Sequence, residues 1–411
     1  MITIRPYKTI NQKAWNQYVE NHPKATLYHL SGWKNVIEKT YGHKTYYLIA
    51  VKNTVNRCQM SDVRCQTTEI REKKLTTCNQ QPATHYEPST INPSNPINPS
   101  NPIVGILPLV HLKHFFFGNS LISIPFFDMG GILADNDEIE KALLHEAVKL
   151  GKKLKVKNIE LRHTEPLKWF NSDDFQHKTQ NSKLKIQNCA FQTRSHKVRM
   201  LLDLPDSSEK LMKSFKSKLR SQIRKPMKDG LKSQIGGLEL LDDFYDVFSE
   251  NMRDLGSPVH SKLLMENVIK AFPDKAKIVM VYKDNLPIAC SLVVGFKDTL
   301  ENPWASALRE YSKLSPNMLL YWTMIEYASN NGYSCFDFGR STPGEGTHKF
   351  KEQWGAKPTP LRWNYITLNG KPFDTETSEK SKFDKAIHYW QKLPVSITKI
   401  IGPPIRKHIG L

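Results

Sequence analysis

Two stretches far apart in this chain spell the same succession of elements, and that repetition limits the possible folds more than any other feature. The later copy is the clearer. KIVMVYKDNLPIACSLVVGFKD at 277–298 sets two apolar runs on either side of Lys283-Asp284-Asn285, residues suited to a tight hairpin turn. A strand at 304–309, a loop, the helical LSPNMLLYWTMIEYASNNGY and a closing strand CFDFGR follow. Ser315 before Pro316 is a capping hydroxyl ahead of a first-turn proline, and Asn331-Gly332 suits a helix end. In the earlier copy the hairpin arms are YYLIAVKN at 46–53 and PIVGILPLVHLKH at 102–114, with the turn drawn out between them. A strand at 121–124, a glycine-containing loop, the helix EIEKALLHEAVKLGKKL and the strand NIELRH complete it. Each copy opens on a helix, at about 33–40 in the first and 211–230 in the second, where a further helix lies at 240–255. Helix, antiparallel hairpin, strand, helix, strand, twice over, is an α+β layout of mostly antiparallel sheets covered by helices.

The 411 residues suffice for two cores of ordinary size. The partition expected is a first unit at 1–165, a connector at 166–195, a second unit at 196–370 carrying the site, and a helical tail at 371–411. Inside the first unit, 53–102 is polar and ends in the tandem hexamer INPSNPINPSNP. Such a segment buries too little apolar surface to offset its ordering entropy, so a disordered low-complexity insert is expected. The tail ends VSITKIIGPPIRKHIGL. Its apolar residues mixed with Lys399, Arg406 and Lys407 either pack on the second unit or graze an anionic bilayer.

Charge bears on partners. Lysine and arginine number 59 against 40 acids, a formal charge of +19, which favours anionic partners such as RNA, sugar nucleotides or an acidic membrane surface. Of six cysteines, Cys58, Cys65 and Cys78 match no zinc spacing, while Cys290 and Cys335 lie in apolar runs. No cluster at metal-ligand spacing appears, so no metal is expected. MITIRPYKTINQ is not a signal peptide, and the apolar stretch 115–133 is broken by Asn119, Pro125, Asp128 and Gly130-Gly131. The expected location is cytoplasmic.

The chemistry concentrates in FDFGRSTPGEGTHKFKEQWGA at 336–356. A strand ends on Asp337 and Arg340, a Pro/Gly loop follows, and Lys349 and Lys351 bracket Phe350 ahead of Trp354-Gly355. Alternation sends Phe336 and Phe338 to one face and Asp337 to the other, where the acid serves either as a general base or as scaffold. Glu160 and Arg162 at the corresponding place in NIELRH favour scaffolding. Arg220 and Arg224 stand one helical turn apart and face the same way, a pair of guanidinium forks suited to a diphosphate. Pro226 is expected to kink or end that helix at Lys225.

The doubled unit, HLSGW at 29–33, RSQIRKPMKDG at 220–230 and above all FDFGR…HKFKEQWGA resemble the FemAB-like aminoacyltransferases, built of two acetyltransferase-like (GNAT) domains. SIPFFDMGG at 123–131 together with that ending is most similar to the branch associated with exopolysaccharide and PEP-CTERM sorting systems. The resemblance spans nearly all the chain outside the insert and the tail. It implies two tandem GNAT-like domains and transfer of an aminoacyl or other acyl group to an amine or hydroxyl of a cell-envelope or exopolysaccharide precursor. The donor implied is aminoacyl-tRNA, with no tightly bound cofactor, and the acceptor is sugar-nucleotide, peptide or lipid-linked. In the family the FK pair lies at the reaction centre, which here is Phe350-Lys351. The Phe350 backbone would hold the acceptor and Lys351 would offset the developing oxyanion. An arginine of the RSQIRK helix contacts the acceptor diphosphate in the family, and Arg224 matches it. A first-domain lysine does likewise, but here Ile37 stands near its place, between Lys34 and Lys39, and Lys39 is the nearest candidate. Arg340, Lys349 and Trp354 are further expected substrate contacts.

Other readings share these residues. A CoA-dependent N-acetyltransferase acting on a polysaccharide precursor would use the same fold. REYSKLSPNMLL, however, has no glycine for the turn that usually cradles a pyrophosphate. The glycine pair of DMGGILADND is followed by acidic residues that would repel phosphates, so CoA is disfavoured as donor. A non-catalytic module binding RNA or a sugar nucleotide would keep the basic helix and lose turnover.

Overall fold

The computed structural model describes residues 1–53, 102–170, 189–373 and 379–410. Between its two ends the expected insert lies outside the described residues, as does 171–188 of the connector. The chain runs β1 (Ile2–Pro6), α1 (Gln12–Asn21), α2 (Gly32–Tyr41), β2 (Lys44–Thr45), β3 (Leu48–Lys52), β4 (Ile103–Leu107), β5 (Val110–His114), β6 (Gly118–Ile122), β7 (Leu133–Ala134), α3 (Asp137–Leu154) and β8 (Asn158–His163). Then come β9 (Ala190–Arg194), β10 (Val198–Asp203), α4 (Ser208–Ser214), α5 (Ser217–Lys228), β11 (Leu231–Gly236), α6 (Leu241–Asp254) and α7 (Lys262–Ala271). The second hairpin is β12 (Ala276–Lys283) and β13 (Leu286–Phe296), followed by β14 (Thr299–Ala307), α8 (Pro316–Asn330), β15 (Cys335–Ser341) and α9 (Gly346–Glu352). β16 (Lys357–Pro360), β17 (Arg362–Thr367), α10 (Glu379–Gln391) and α11 (Val395–Arg406) complete the described chain.

The repeat is there in three dimensions. β3 pairs antiparallel with β4, Leu48 opposite Leu107, and the Lys52 N–H donates to Pro102 O at 3.1 Å, so the insert leaves and re-enters the hairpin at one point. β12 and β13 form the intact hairpin of the second copy. In each copy a helix then carries the chain over to a parallel pair, β6 with β8 and β14 with β15. The copies differ at Pro108. β13 is a single 11-residue strand that pairs with β12 on one side and β14 on the other. Its counterpart is cut into β4 and β5 at Pro108, which has no N–H to give a ladder, and the first half accordingly has two sheets.

The first half is completed by strands from outside it. β9 and β17 belong to the six-stranded sheet of the first half, in the order β2-β5-β6-β8-β17-β9. β10 and β16 belong to the seven-stranded sheet of the second, β11-β12-β13-β14-β15-β10-β16. Residues 190–203 and 357–367 thus form one antiparallel ribbon through both sheets, joined at its crossing by Leu361 N–H to Lys197 O at 2.9 Å. Strand 362–367, grouped by sequence with the second unit, lies in the sheet of the first. One apolar cluster reaches from Trp15 and Trp33 to Phe244, Trp304 and Trp363, so the core crosses between the halves.

Two local expectations are corrected. The helix read at 211–230 is two helices, because Phe215 takes an extended conformation and turns inward onto Trp322 and Trp354. Pro226 neither ends nor interrupts α5, which continues to Lys228. So near the C-terminus the missing N–H removes one bond and no more.

Candidate active site

β14 and β15 run parallel for three residue pairs, the last being Glu301 opposite Asp337. Beyond it β14 continues to Ala307 and β15 to Ser341 without pairing to each other. Strands that part leave backbone carbonyls needing donors. One donor arrives from outside the sheet: Lys351, on α9, gives hydrogen bonds from Nζ to Gly339 O at 3.1 Å and Arg340 O at 2.8 Å. Trp354, 1% exposed against Phe215 and Phe338, holds the end of α9 down. A cleft of about 290 Å³ opens at the divergence, and Lys351, Glu301, Asn302, Tyr321 and Arg340 line it from the second half. Tyr28, Phe127 and Asp128 close it from the first half, and Arg406 of α11 from the tail.

The same divergence exists in the first half, after Ile122 opposite Glu160. There it is filled. Arg162, 1% exposed, bonds to Glu160 at 2.8 Å and donates to the carbonyls of Phe127, Ile124 and Gly410. Gly130 and Gly131 N–H groups close the loop back onto Arg162 O at 3.0 and 2.8 Å. A side chain at Gly131 would meet the His163 ring at 2.4 Å, so the plug depends on that glycine. Of two equivalent gaps, one is packed with arginine and main chain, and the other is open and polar.

The open gap is electrostatically loaded. Lys351 is 6% exposed, and loss of hydration pulls its amine down from 10.5 to about 8, against the attraction of Asp337 and Asp128. No carboxylate is bonded to it, so its charge is free to serve the cleft. Asp337 is fully buried with both oxygens taken: Oδ1 accepts from Gly339 N–H at 2.8 Å, and Oδ2 from Arg199 Nε at 2.9 Å and Nη2 at 2.6 Å. Glu301, beside it, accepts from the Tyr28 hydroxyl, and burial followed by the Asp337 charge pushes its carboxyl well up. Arg340 pairs with Asp128 at 3.0 Å and lies over the Trp363 ring, whose other neighbour is Arg162. At the tail side, His260 is held neutral by burial and by Arg406. It accepts from Arg406 Nε at 3.1 Å, which leaves Nδ1–H to donate to the Tyr41 oxygen at 2.9 Å.

Of the expected site residues, Lys351 and Arg340 line the cleft, while Trp354 packs against Phe338 and lines a separate cavity with Phe215 and Leu219. Asp337 lies directly behind the cleft, paired with Arg199 rather than with Arg340. Phe350 packs its ring edge-on against Tyr321, centroids 5.0 Å apart. Lys349 is exposed on the outer side of α9. Arg224 is exposed on α5, Arg220 donates to Lys213 O, and Lys39 is exposed on α2; none of the three lines the cleft. The basic wall expected from α5 is therefore not a wall of this cleft, because α5 packs on α8 at the far side of the strands. Sequence reasoning missed Glu301, Tyr28, Arg199 and His260. Glu301, the single charged residue of 299–307, was the available signal.

Residues 213–352 match the family model described as acetyltransferase (GNAT) domain, a stretch that contains the open divergence and Lys351. No curated protein matches the chain by sequence. Among solved structures, FemX is similar at 15% identity and a TM-score of 0.57, over 89% of this chain and 96% of that one. A tandem GNAT protein from the clavulanic acid biosynthesis pathway shares 10% identity over 91% and 100% of the two chains, with a TM-score of 0.47. The C-terminal domain of a putative lysylphosphatidylglycerol synthetase from Agrobacterium fabrum shares 12% over 69% and 83%, with a TM-score of 0.45. The matched domain marks 213–352 as an acyltransferase domain of GNAT type, and the likeness to FemX shows a shared fold of two GNAT-like halves.

Proposed function

We propose that the chain transfers an aminoacyl or other acyl group, in the manner of FemAB-like enzymes, to an amine or hydroxyl of a cell-envelope or exopolysaccharide precursor, with Lys351 at the reacting carbonyl. Attack on the acyl carbon puts negative charge on its oxygen, and a preorganised donor in a dry site stabilises that charge most. The observation that carries this reading is the Lys351 ammonium, fixed by two carbonyls with a proton left for the cleft. Glu301, with its raised carboxyl pKa, is positioned to take the proton the acceptor loses. Asp337, both oxygens occupied, keeps Arg199 and Gly339 in place.

A second reading, CoA as donor, is favoured by the acetyltransferase description of the matched domain. Purified protein given labelled aminoacyl-tRNA or labelled acetyl-CoA in separate reactions distinguishes the two by which label reaches an acceptor. Transfer from either donor that Lys351→Ala leaves at the wild-type rate would overturn the role given to Lys351. Binding of RNA or sugar nucleotide without turnover from either donor would leave a binding module.

A further inference from the structure

Three consecutive phenylalanines stand where a folded chain gains nothing from them. Phe115, Phe116 and Phe117 make the turn between β5 and β6 and are 93%, 83% and 44% exposed. A second apolar surface adjoins. On α11, Ile397, Ile400, Ile401 and Pro404 are all exposed, and their spacing of i, i+3, i+4, i+7 makes them one stripe. The inward face holds small or polar residues instead: Thr398 is 1% exposed, and a Cβ on Gly402 would come within 3.1 Å of Val259. A surface helix ordinarily has the opposite polarity. Just past its end, His408 packs on the His114 ring at 4.1 Å and parallel to Phe117 at 6.2 Å, so stripe and turn are neighbours. Scattered apolar residues on a surface are ordinary, but contiguous ones mark an interaction face.

Shape and charge select the occupant. The phenylalanine turn projects, so it is built to insert into something soft rather than to receive a partner. Exposed Lys113 and Lys392 and half-buried Lys407 flank the two elements, and neither 102–127 nor 385–411 contains a single aspartate or glutamate. Aromatic and aliphatic side chains on two segments that carry lysines and no acids, beside which Asp246 is already paired with Lys399, match the interface of an anionic bilayer, where apolar burial and charge attraction add. We propose that the β5–β6 phenylalanine turn and the outer stripe of α11 form a docking surface for an anionic lipid bilayer. Docking does not depend on acyl transfer. Because α11 also carries Arg406 into the cleft, docking would set the cleft close to the lipid surface.

Co-sedimentation of the full chain with vesicles tests this, using phosphatidylcholine alone and phosphatidylcholine mixed with phosphatidylglycerol. Wild type and the Lys351→Ala variant are both expected to pellet with the mixed vesicles and far less with the neutral ones. Phe115→Ser/Phe116→Ser and Ile397→Ser/Ile400→Ser should each weaken partitioning about tenfold or more, with melting temperatures unchanged because all four side chains are exposed. Wild type remaining in the supernatant, or either double variant pelleting as well as wild type, overturns the proposal. So does a concentration-dependent dimer without vesicle binding that the same substitutions abolish, which would assign the surface to a second copy of the chain.

Discussion

Lys351 has two consequences that can be separated. As the cation at the reacting oxygen, its loss in Lys351→Ala should lower kcat/KM by about a hundredfold or more, the ~3 kcal/mol typical of one oxyanion donor, with the loss in kcat rather than KM. As a buried amine it should also shape stability against pH. The folded amine titrates near 8 and the unfolded one near 10.5, so between those values the unfolded chain holds the extra proton. Stability then rises with pH across that window. Chemical denaturation of wild type and Lys351→Met from below pH 8 to 10.5 should show a steeper rise in wild type than in the variant, and parallel curves would contradict it. Asp337 belongs to the structure rather than to the reaction. Asp337→Asn leaves the mostly buried Arg199 guanidinium without its counter-charge and should cost about 3–5 kcal/mol, part of which a paired Arg199→Met/Asp337→Leu change restores. Equal stability of Asp337→Asn and wild type in denaturant would rule that pairing out as a support of the fold.

At the scale of elements the site is a consequence of how two strands part. Gly339 stands at the parting with φ of +75°, and a Cβ there would lie 3.1 Å from Asn302 O on the opposite strand. Gly339→Ala therefore brings both backbone strain, about 1–2 kcal/mol for a left-handed residue, and a wedge inside the gap. Gly332, at the end of α8, also has positive φ, but open space surrounds its missing side chain. Gly339→Ala should lose at least as much stability as Gly332→Ala in thermal melts, and only Gly339→Ala should lose turnover beyond what its lost stability accounts for. Equal activity in the two would mean that the geometry of the divergence does not matter to the reaction.

The whole molecule behaves as one body in its connections. β17, from residues 362–367, fills a place between β8 and β9, so the sheet of the first half is not complete from its own sequence, whereas all seven strands of the second sheet lie within 198–360. Residues 1–170 expressed alone lack both β9 and β17 and would present β8 as a bare edge. That fragment should give no cooperative unfolding transition, whereas the full chain should unfold in a single step by far- and near-ultraviolet circular dichroism. A cooperative melt of the fragment would show that the exchanged ribbon is dispensable.

The doubled order of elements was legible in the sequence, because hairpin chemistry at 283–285, Pro316 in the first turn of α8 and apolar periodicity are local properties. The Ser315 hydroxyl, expected to cap that helix, nevertheless makes no capping bond because Ser315 takes a left-handed conformation. The HKFKEQWGA ending, being contiguous, likewise singled out Lys351, which lines the cleft, and Trp354, which does not. The partner of Asp337 was not legible, because Arg199 lies 138 residues away and only strand register brings it there. Nor could the sequence tell which of two equivalent gaps stays open. Arginine fills one and lysine enters the other from a separate helix, and that difference rests on contacts between segments distant along the chain, which packing alone decides.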